Sequence, residues 1–373
     1  AVTSPPAALR LASPHPKPLA PVREKLSGCA LLPSPPRGGR VGDEGGKGRR
    51  TTRRAGGGDL GAALVGSGID AVVFTGSVRT GRAVAKAAAE ALIPAGLELG
   101  GKDAAVVLDD ADLERTARGI VWGALINAGQ NCASIERVYV TERNAAPLTD
   151  RIVAIVRDLV PGKDFGPLVT PAQLAIVERH VASAKKNGAT ILLGGTKLDR
   201  PGTWYAPTVL TGVPLDDESV VEETFGPLIP IMVVKSEEAA IHAANDSRFG
   251  LTASVWTRDL TRGATIARRL RAGVVMVNNH GFTGAVPALP WSGVGESGSG
   301  VTNSAYTLDV LTRPRAMIVD ASNADREMWW HPYGDGLVSV GKSLAILRSS
   351  AGLGDKAAAV KGLARGFLTR WKN

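Results

Sequence analysis

From Gly58 onward, short β-branched strand signals alternate with helical runs, and that alternation leaves few folds open. Residues 70–75 read as an apolar strand that ends at Gly76-Ser77. The Ala-rich stretch 82–92 reads as a helix, and 97–99 and 104–108 as strands. Asp112 can cap a helix running to about Ile126, with Leu113, Ile120, Val121, Ala124 and Leu125 near one face. Residues 135–140 form a β-branched strand signal, followed by a helix over 146–159. Further strands are expected at 191–193, around Val209, and over 230–234, 251–256 and 273–278, with helices over 237–244 and 261–272. A short helix over 62–65 precedes them all. The predicted architecture is α/β with a mainly parallel sheet and no internal repeat.

Residues 1–58 differ in kind. They hold 9 of the 23 prolines, no aromatic residue, and 11 Lys and Arg against 3 acidic residues. Nearly all of the net charge of +9 therefore sits in this segment, and the other 315 residues carry about +1. Such a composition cannot bury enough apolar surface to offset the entropy of ordering, so 1–57 is expected to be disordered. An organelle-targeting segment would be Arg- and Ser-rich in the same way, but these prolines oppose its amphipathic helix. A nucleic-acid-binding tail would interleave aromatic residues for stacking, and none is present. Nucleic acid is not an expected partner. No apolar run reaches the ~18 residues of a transmembrane helix. Two cysteines, Cys29 and Cys132, make no disulfide framework, which suggests a reducing, cytoplasmic setting.

Four strings carry chemistry. Phe74-Thr75-Gly76-Ser77, with Gly81 beyond, joins a strand to a helix start. Free backbone N–H groups and the helix dipole there suit a pyrophosphate, although an ordinary turn gives the same string. Leu97-Glu98-Leu99-Gly100-Gly101-Lys102 sets a carboxylate beside two glycines that permit close backbone approach. Desolvation would raise the Glu98 pKa toward that of a general base, whereas a surface glutamate at a strand end is the plainer alternative. Gly129-Gln130-Asn131-Cys132 places a thiol among small residues, 34 positions after Glu98. Cys132 is then a candidate nucleophile for a carbonyl, with its own backbone N–H as an oxyanion donor, or a small buried hydrophobe. Glu222-Glu223-Thr224-Phe225-Gly226-Pro227 adds a carboxylate and an aromatic ring ahead of a strand. His180 and His242 read as helix residues, His280 is given no catalytic role, and no Cys/His spacing suggests a metal site.

Taken together and in order, these strings resemble the aldehyde dehydrogenase family over about residues 58–313. Val277-Asn278-Asn279-His280 and the Pro290–Gly298 stretch resemble the family's late pocket and hinge segments. The resemblance implies a partial Rossmann-like cofactor domain over 58–101 and an α/β catalytic domain over 102–300. Residues 301–373 would return to the cofactor domain or make oligomer contacts. It assigns Cys132 as nucleophile and Glu98 as base. Gly76, Ser77, Gly81 and Leu99 would line an NAD or NADP site, Glu223 would hold a ribose, and Phe225 would pack near the nicotinamide. The implied reaction is oxidation of a small-molecule aldehyde to a carboxylic acid. Hydrolytic release is implied because members that acylate coenzyme A usually lack the base.

The resemblance also implies an N-terminally truncated member, or one with an aberrant N-terminus. The family's Pro-Trp-Asn segment, whose Asn completes the oxyanion hole, its Lys-Pro ribose contact and its oligomerisation hairpin have no counterpart in 1–58. Two function classes follow: a dehydrogenase, and a remnant that acts only through association, for example as a homo-oligomer. Near the C-terminus, Trp329, Trp330 and a run with Lys356, Lys361 and Arg365 suit a basic helix on a membrane, or more plainly an exposed helix or oligomer contact.

Overall fold

The computed structural model describes residues 54–320, 327, 329–331 and 333–370. The expected disordered tail lies, up to Arg53, outside the described residues, as does Cys29. Contacts divide the chain into a first unit, Ala1–Leu60, and a second, Gly61–Asn373. All the sheets belong to the second unit.

In chain order the elements are α1 (Gly58–Val65), β1 (Val72–Thr75), α2 (Val78–Glu90), β2 (Ala95–Glu98), β3 (Asp103–Val107), α3 (Leu113–Leu125), β4 (Ile135–Thr141) and α4 (Glu142–Arg157). They continue with α5 (Pro171–Lys186), β5 (Thr190–Leu193), β6 (Thr208–Thr211), α6 (Glu218–Val221), β7 (Leu228–Val234) and α7 (Glu237–Asn245). The last are β8 (Thr252–Trp256), α8 (Leu260–Ala267), β9 (Val274–Val277), β10 (Gly298–Ser299), α9 (Thr307–Leu311), α10 (Asp335–Arg348) and α11 (Leu353–Arg370).

The larger sheet runs β5-β6-β7-β4-β3-β8-β9, parallel throughout except for β5 against β6. Its central strands are buried on both faces. Ala104 and Val106 of β3 enter one core with Val177 and Val181 of α5 and Ile241 of α7. Ala105 and Val107 enter the other, with Ile120 and Val121 of α3 and Ile152 of α4. The two-residue period of a strand sends neighbours to opposite layers, so a near-continuous apolar run is what a doubly covered parallel strand requires. Each fully buried Val or Ile contributes on the order of 1.5–3 kcal/mol.

The smaller sheet is β1-β2-β10, with β1 parallel and β10 antiparallel to β2. It carries Glu98 at the end of β2, opposite Gly298.

The expected alternation holds, with four differences. Helix α5 was signalled only by His180. Its start is marked by Thr170, whose hydroxyl accepts from Gln173 N, and by Pro171 at the first helical position, where a missing N–H costs nothing. Helix α4 begins at Glu142, four residues before the expected 146, and keeps Pro147 inside. Helix α8 ends five residues before the expected 272, because the chain must turn for Gly273 N to reach Gly250 O. The edge strands β5 and β10 run antiparallel to their neighbours, whereas the edge strands β9 and β1 keep the parallel order.

Candidate active site

Between α3 and β4 the chain passes through three consecutive left-handed residues: Asn127 (φ 53°), Ala128 (φ 55°) and Gly129 (φ 71°). An L residue pays roughly 1–2 kcal/mol for this conformation, so the surroundings must hold it. Gln130 does so. Its side chain donates to Asn127 O and Pro167 O and accepts from Val169 N at 2.7 Å. The Asn127 side chain donates to Gln130 O, and Ser134 Oγ ties the far end of the loop to Ala124 O. At Gly129 a Cβ would stand 2.1 Å from Gly226 O. Gly129→Ala is therefore expected to cost about 2 kcal/mol or more, read as a lower urea midpoint.

This loop presents Cys132, half-buried and free. Asn131 Oδ1 accepts from Ala133 N at 3.1 Å and faces the Cys132 sulfur at 3.8 Å. Gly101 lies directly beneath, where a Cβ would stand 2.3 Å from Cys132 O. The second glycine of the Gly100-Gly101 pair is thus what lets the base strand and the nucleophile loop touch. Burial, then the charges of Asp103, Glu223 and Glu98, push the thiol up to about 11. At neutral pH the sulfur is protonated and needs a base.

Cys132 opens onto a cavity of about 710 Å³ that Thr75, Gly76, Ser77, Leu99, Glu223 and Phe225 also line. Six of the eight residues singled out by the sequence therefore meet at one place, with Gly81 and Glu98 outside the lining. Gly81 lies in the first turn of α2 under Leu99, where a Cβ would stand 2.4 Å from Leu99 Cδ2. It lets the helix and strand close. The Glu98 carboxylate, 7% exposed, is turned toward Trp291 and Thr302, and Thr302 Oγ1 donates to Oε1 at 3.1 Å. Glu98 Oε2 has no hydrogen-bond partner among the described residues. Burial raises the Glu98 pKa to about 6, against the Thr302 and Trp291 hydrogen bonds.

The residues fit a nicotinamide dinucleotide at this end of the cavity. Ser77 caps α2 and accepts from Thr80 N, and the first turn holds no acidic side chain to neutralise the helix dipole. The Glu223 carboxylate lies flat against Gly100, where a Cβ would stand 2.2 Å from Oε2, and accepts from Gly101 N. Burial and then Glu136 push Glu223 up to about 7. Phe225 takes φ 48° beside it.

Sequence reasoning missed what holds this segment. Lys102 and Glu136 form a fully buried ion pair at 2.5 Å. Glu136 also accepts from Thr224 N at 2.7 Å and Phe225 N at 2.8 Å. Lys102 reaches Thr224 Oγ1, which also contacts His180 Nδ1 at 3.0 Å. Burial lowers the Lys102 pKa, opposed by Glu136, and burial lowers His180 to about 4. On the other side of the loop, His280 Nε2 meets Ala133 O at 2.8 Å, next to Thr252 and the buried Asp103. The available signal was Glu136-Arg137 inside an otherwise β-branched strand, since two charges there require buried partners. Among the described residues, no group of three His, Cys, Asp or Glu could hold a metal ion.

Residues 54–317 match the sequence model of the aldehyde dehydrogenase family. The 4,4'-diapolycopene aldehyde oxidase of Methylomonas sp. is 37% identical over 286 residues, covering 74% of this chain and 53% of that protein. Benzaldehyde dehydrogenase (NAD(+)) of Pseudomonas putida is 38% identical over 66% of this chain and 51% of its own length. The NAD+ complex structure of aldehyde dehydrogenase from Bacillus cereus superposes with a TM-score of 0.68 at 36% identity, covering 70% of this chain and 54% of that one. The chain thus spans about half the length of the relatives it matches. With the matched region, the two-layered core and the cavity at Cys132 in agreement, the chain belongs to the aldehyde dehydrogenase family.

Proposed function

We propose that the chain oxidises an aldehyde to a carboxylic acid with NAD(P)+, through a thioester on Cys132 that water hydrolyses. The observation that carries this reading is the meeting of Cys132, Glu223, Phe225 and the α2 N-terminus around one cavity, with Glu98 buried next to Leu99 of its lining. Residues 58–101 would contribute the cofactor side and 102–300 the nucleophile side.

In this reading the Cys132 thiol gives its proton to solvent water in the cavity, the one proton released overall, and the sulfur adds to the carbonyl carbon. The backbone N–H of Cys132 faces the resulting oxyanion. Bound NAD(P)+ supplies the hydride acceptor. Loss of hydride from the thiohemiacetal leaves a thioester. Glu98 takes a proton from water as the hydroxyl adds, and the carboxylate product departs with the thiol restored. The balance is one aldehyde, one NAD(P)+ and one water consumed, and one acid, one NAD(P)H and one proton released. Glu223 would hold the ribose of the bound cofactor, and Phe225 would pack near its nicotinamide. A cytoplasmic, reducing setting keeps the sulfur as a thiol.

The test is aldehyde-dependent formation of NAD(P)H by the purified chain, followed by nicotinamide absorbance. No reduction with a panel of aromatic and aliphatic aldehydes, by protein that stays folded, would sink the proposal. The pH profile is a sharper check. Glu98 must be a carboxylate to accept a proton. Turnover is therefore expected to fall about tenfold per pH unit below a midpoint near 6. A profile flat from 5 to 8 would exclude Glu98 as the base.

A second reading rests on a separate observation. Val73, on the edge strand β1, and Leu92 are 48% and 89% exposed. An unpaired edge with apolar neighbours suits association with another chain, including a second copy. If folded protein shows no turnover yet self-associates, that reading stands.

A further inference from the structure

The helices α10 and α11 lie beyond the family match and pack chiefly on each other. Their seam is built of small groups. A Cβ on Gly366 would stand 2.7 Å from Gly336 O, and one on Gly362 would stand 2.6 Å from Ser343 Oγ. Ser339 Oγ donates across the seam to Gly362 O at 3.2 Å. Val340 and Ala359 are the buried apolar side chains of the pair.

Several large apolar side chains point away from this seam, while Leu337, Leu347 and Leu363 are half-buried. On α11, Leu353, Val360 and Phe367 recur every seven residues and are 90%, 56% and 40% exposed. That spacing draws one stripe along the helix, on the side opposite Ala359, Gly362 and Gly366. Lys356 and Lys361 border the stripe, one on each side. Just before α10, Trp329 and Tyr333 are each 59% exposed.

In water, paired amphipathic helices bury their large side chains against each other. In lipid the preference is inverted, because small residues make the helix contact and large ones lose nothing by facing acyl chains. Neither helix is long and apolar enough to cross a bilayer. What remains is a hairpin lying in the plane of the interface, with aromatic residues at headgroup depth and lysines reaching out to phosphates. Charge supports it. Residues 335–373 hold seven Lys and Arg against two Asp, whereas residues 59–334 hold 26 basic against 30 acidic residues. A second copy docked hairpin to hairpin would set basic groups against basic groups.

We propose that the α10–α11 hairpin docks this protein on an anionic lipid bilayer surface, with the Leu353-Val360-Phe367 stripe toward the acyl chains and Lys356 and Lys361 at the phosphates. The inference does not depend on the proposed reaction.

The test uses the full chain in a flotation assay with phosphatidylcholine vesicles containing either none or about 30% phosphatidylserine. Binding is expected only to the anionic vesicles, and it should weaken when salt rises to about 0.5 M. The triple change Lys356→Glu, Lys361→Glu and Arg365→Glu, at one half-buried and two exposed positions, should weaken partitioning by about 100-fold or more. Val360→Ser with Phe367→Ser should weaken it without altering charge, with circular dichroism confirming that both variants stay helical. No flotation of the native chain, or unchanged flotation of the charge variant, would overturn the proposal. So would a dimer that both variants dissolve in the absence of any vesicle binding, which would make a second copy the occupant.

Discussion

Replacing Cys132 with alanine is expected to remove aldehyde-dependent NAD(P)H formation, by ~10⁴-fold or more, while cofactor binding and the thermal midpoint change little. The side chain is small and half-buried, and the loop that carries it is held by Gln130 and Asn131 rather than by the sulfur. Glu98→Gln should behave differently. It keeps an acceptor for Thr302 but cannot take a proton, so the first hydride transfer proceeds and deacylation slows by ~10²–10⁴-fold. Rapid mixing should then show one equivalent of NAD(P)H followed by a stall, with an acyl group on Cys132 by mass spectrometry. A Glu98→Gln variant lacking the first equivalent as well would place its role before hydride transfer and refute the division of labour.

Glu136→Ala is expected to be the most damaging change outside the cavity. It removes the partner of a buried Lys102 and the acceptor for both Thr224 N and Phe225 N. Breaking one side of a buried pair costs about 3–5 kcal/mol. For a domain of this size that lowers the thermal midpoint on the order of 10 °C. The released 224–225 segment carries Phe225 and flanks Glu223, so the KM for NAD(P)+ should rise more than kcat falls. Adding Lys102→Met should recover part of the stability but not the KM, because the lost acceptor is what fixes the backbone. Full recovery of both would show that only the stranded charge mattered.

Much of the site was legible in the sequence because its chemistry is written in contiguous strings. Cys132 with its small neighbours, Glu98 with its glycine pair, and the Glu223–Phe225 segment each announce themselves locally. What was not legible comes from residues far apart in the chain. The turn of Glu98 toward Thr302 depends on β10 running antiparallel to β2 over a 200-residue separation. Glu136 gave only the hint of a charge in an apolar strand, and no periodicity could say that Lys102 was its partner. Gly81 looked like part of a phosphate turn because a glycine one turn into a helix reads the same whether a ligand or Leu99 lies over it. The α10–α11 seam escaped for a related reason, since small residues carry almost no amphipathic signal.

The placement of β10 bears on how the chain matures during synthesis. Strand β2 is translated early, but Glu98 acquires its antiparallel neighbour Gly298 and its hydroxyl donor Thr302 only after about two hundred further residues have left the ribosome. Strand β3 likewise waits for β8, with Asp103 meeting Thr252 across 149 positions. Such long-range closures are slow steps in folding. The nucleophile loop can therefore form around a carboxylate whose setting is still unfinished. Nascent chains released before Gly298 should carry an alkylatable Cys132 and a Glu98 with an ordinary carboxylate pKa.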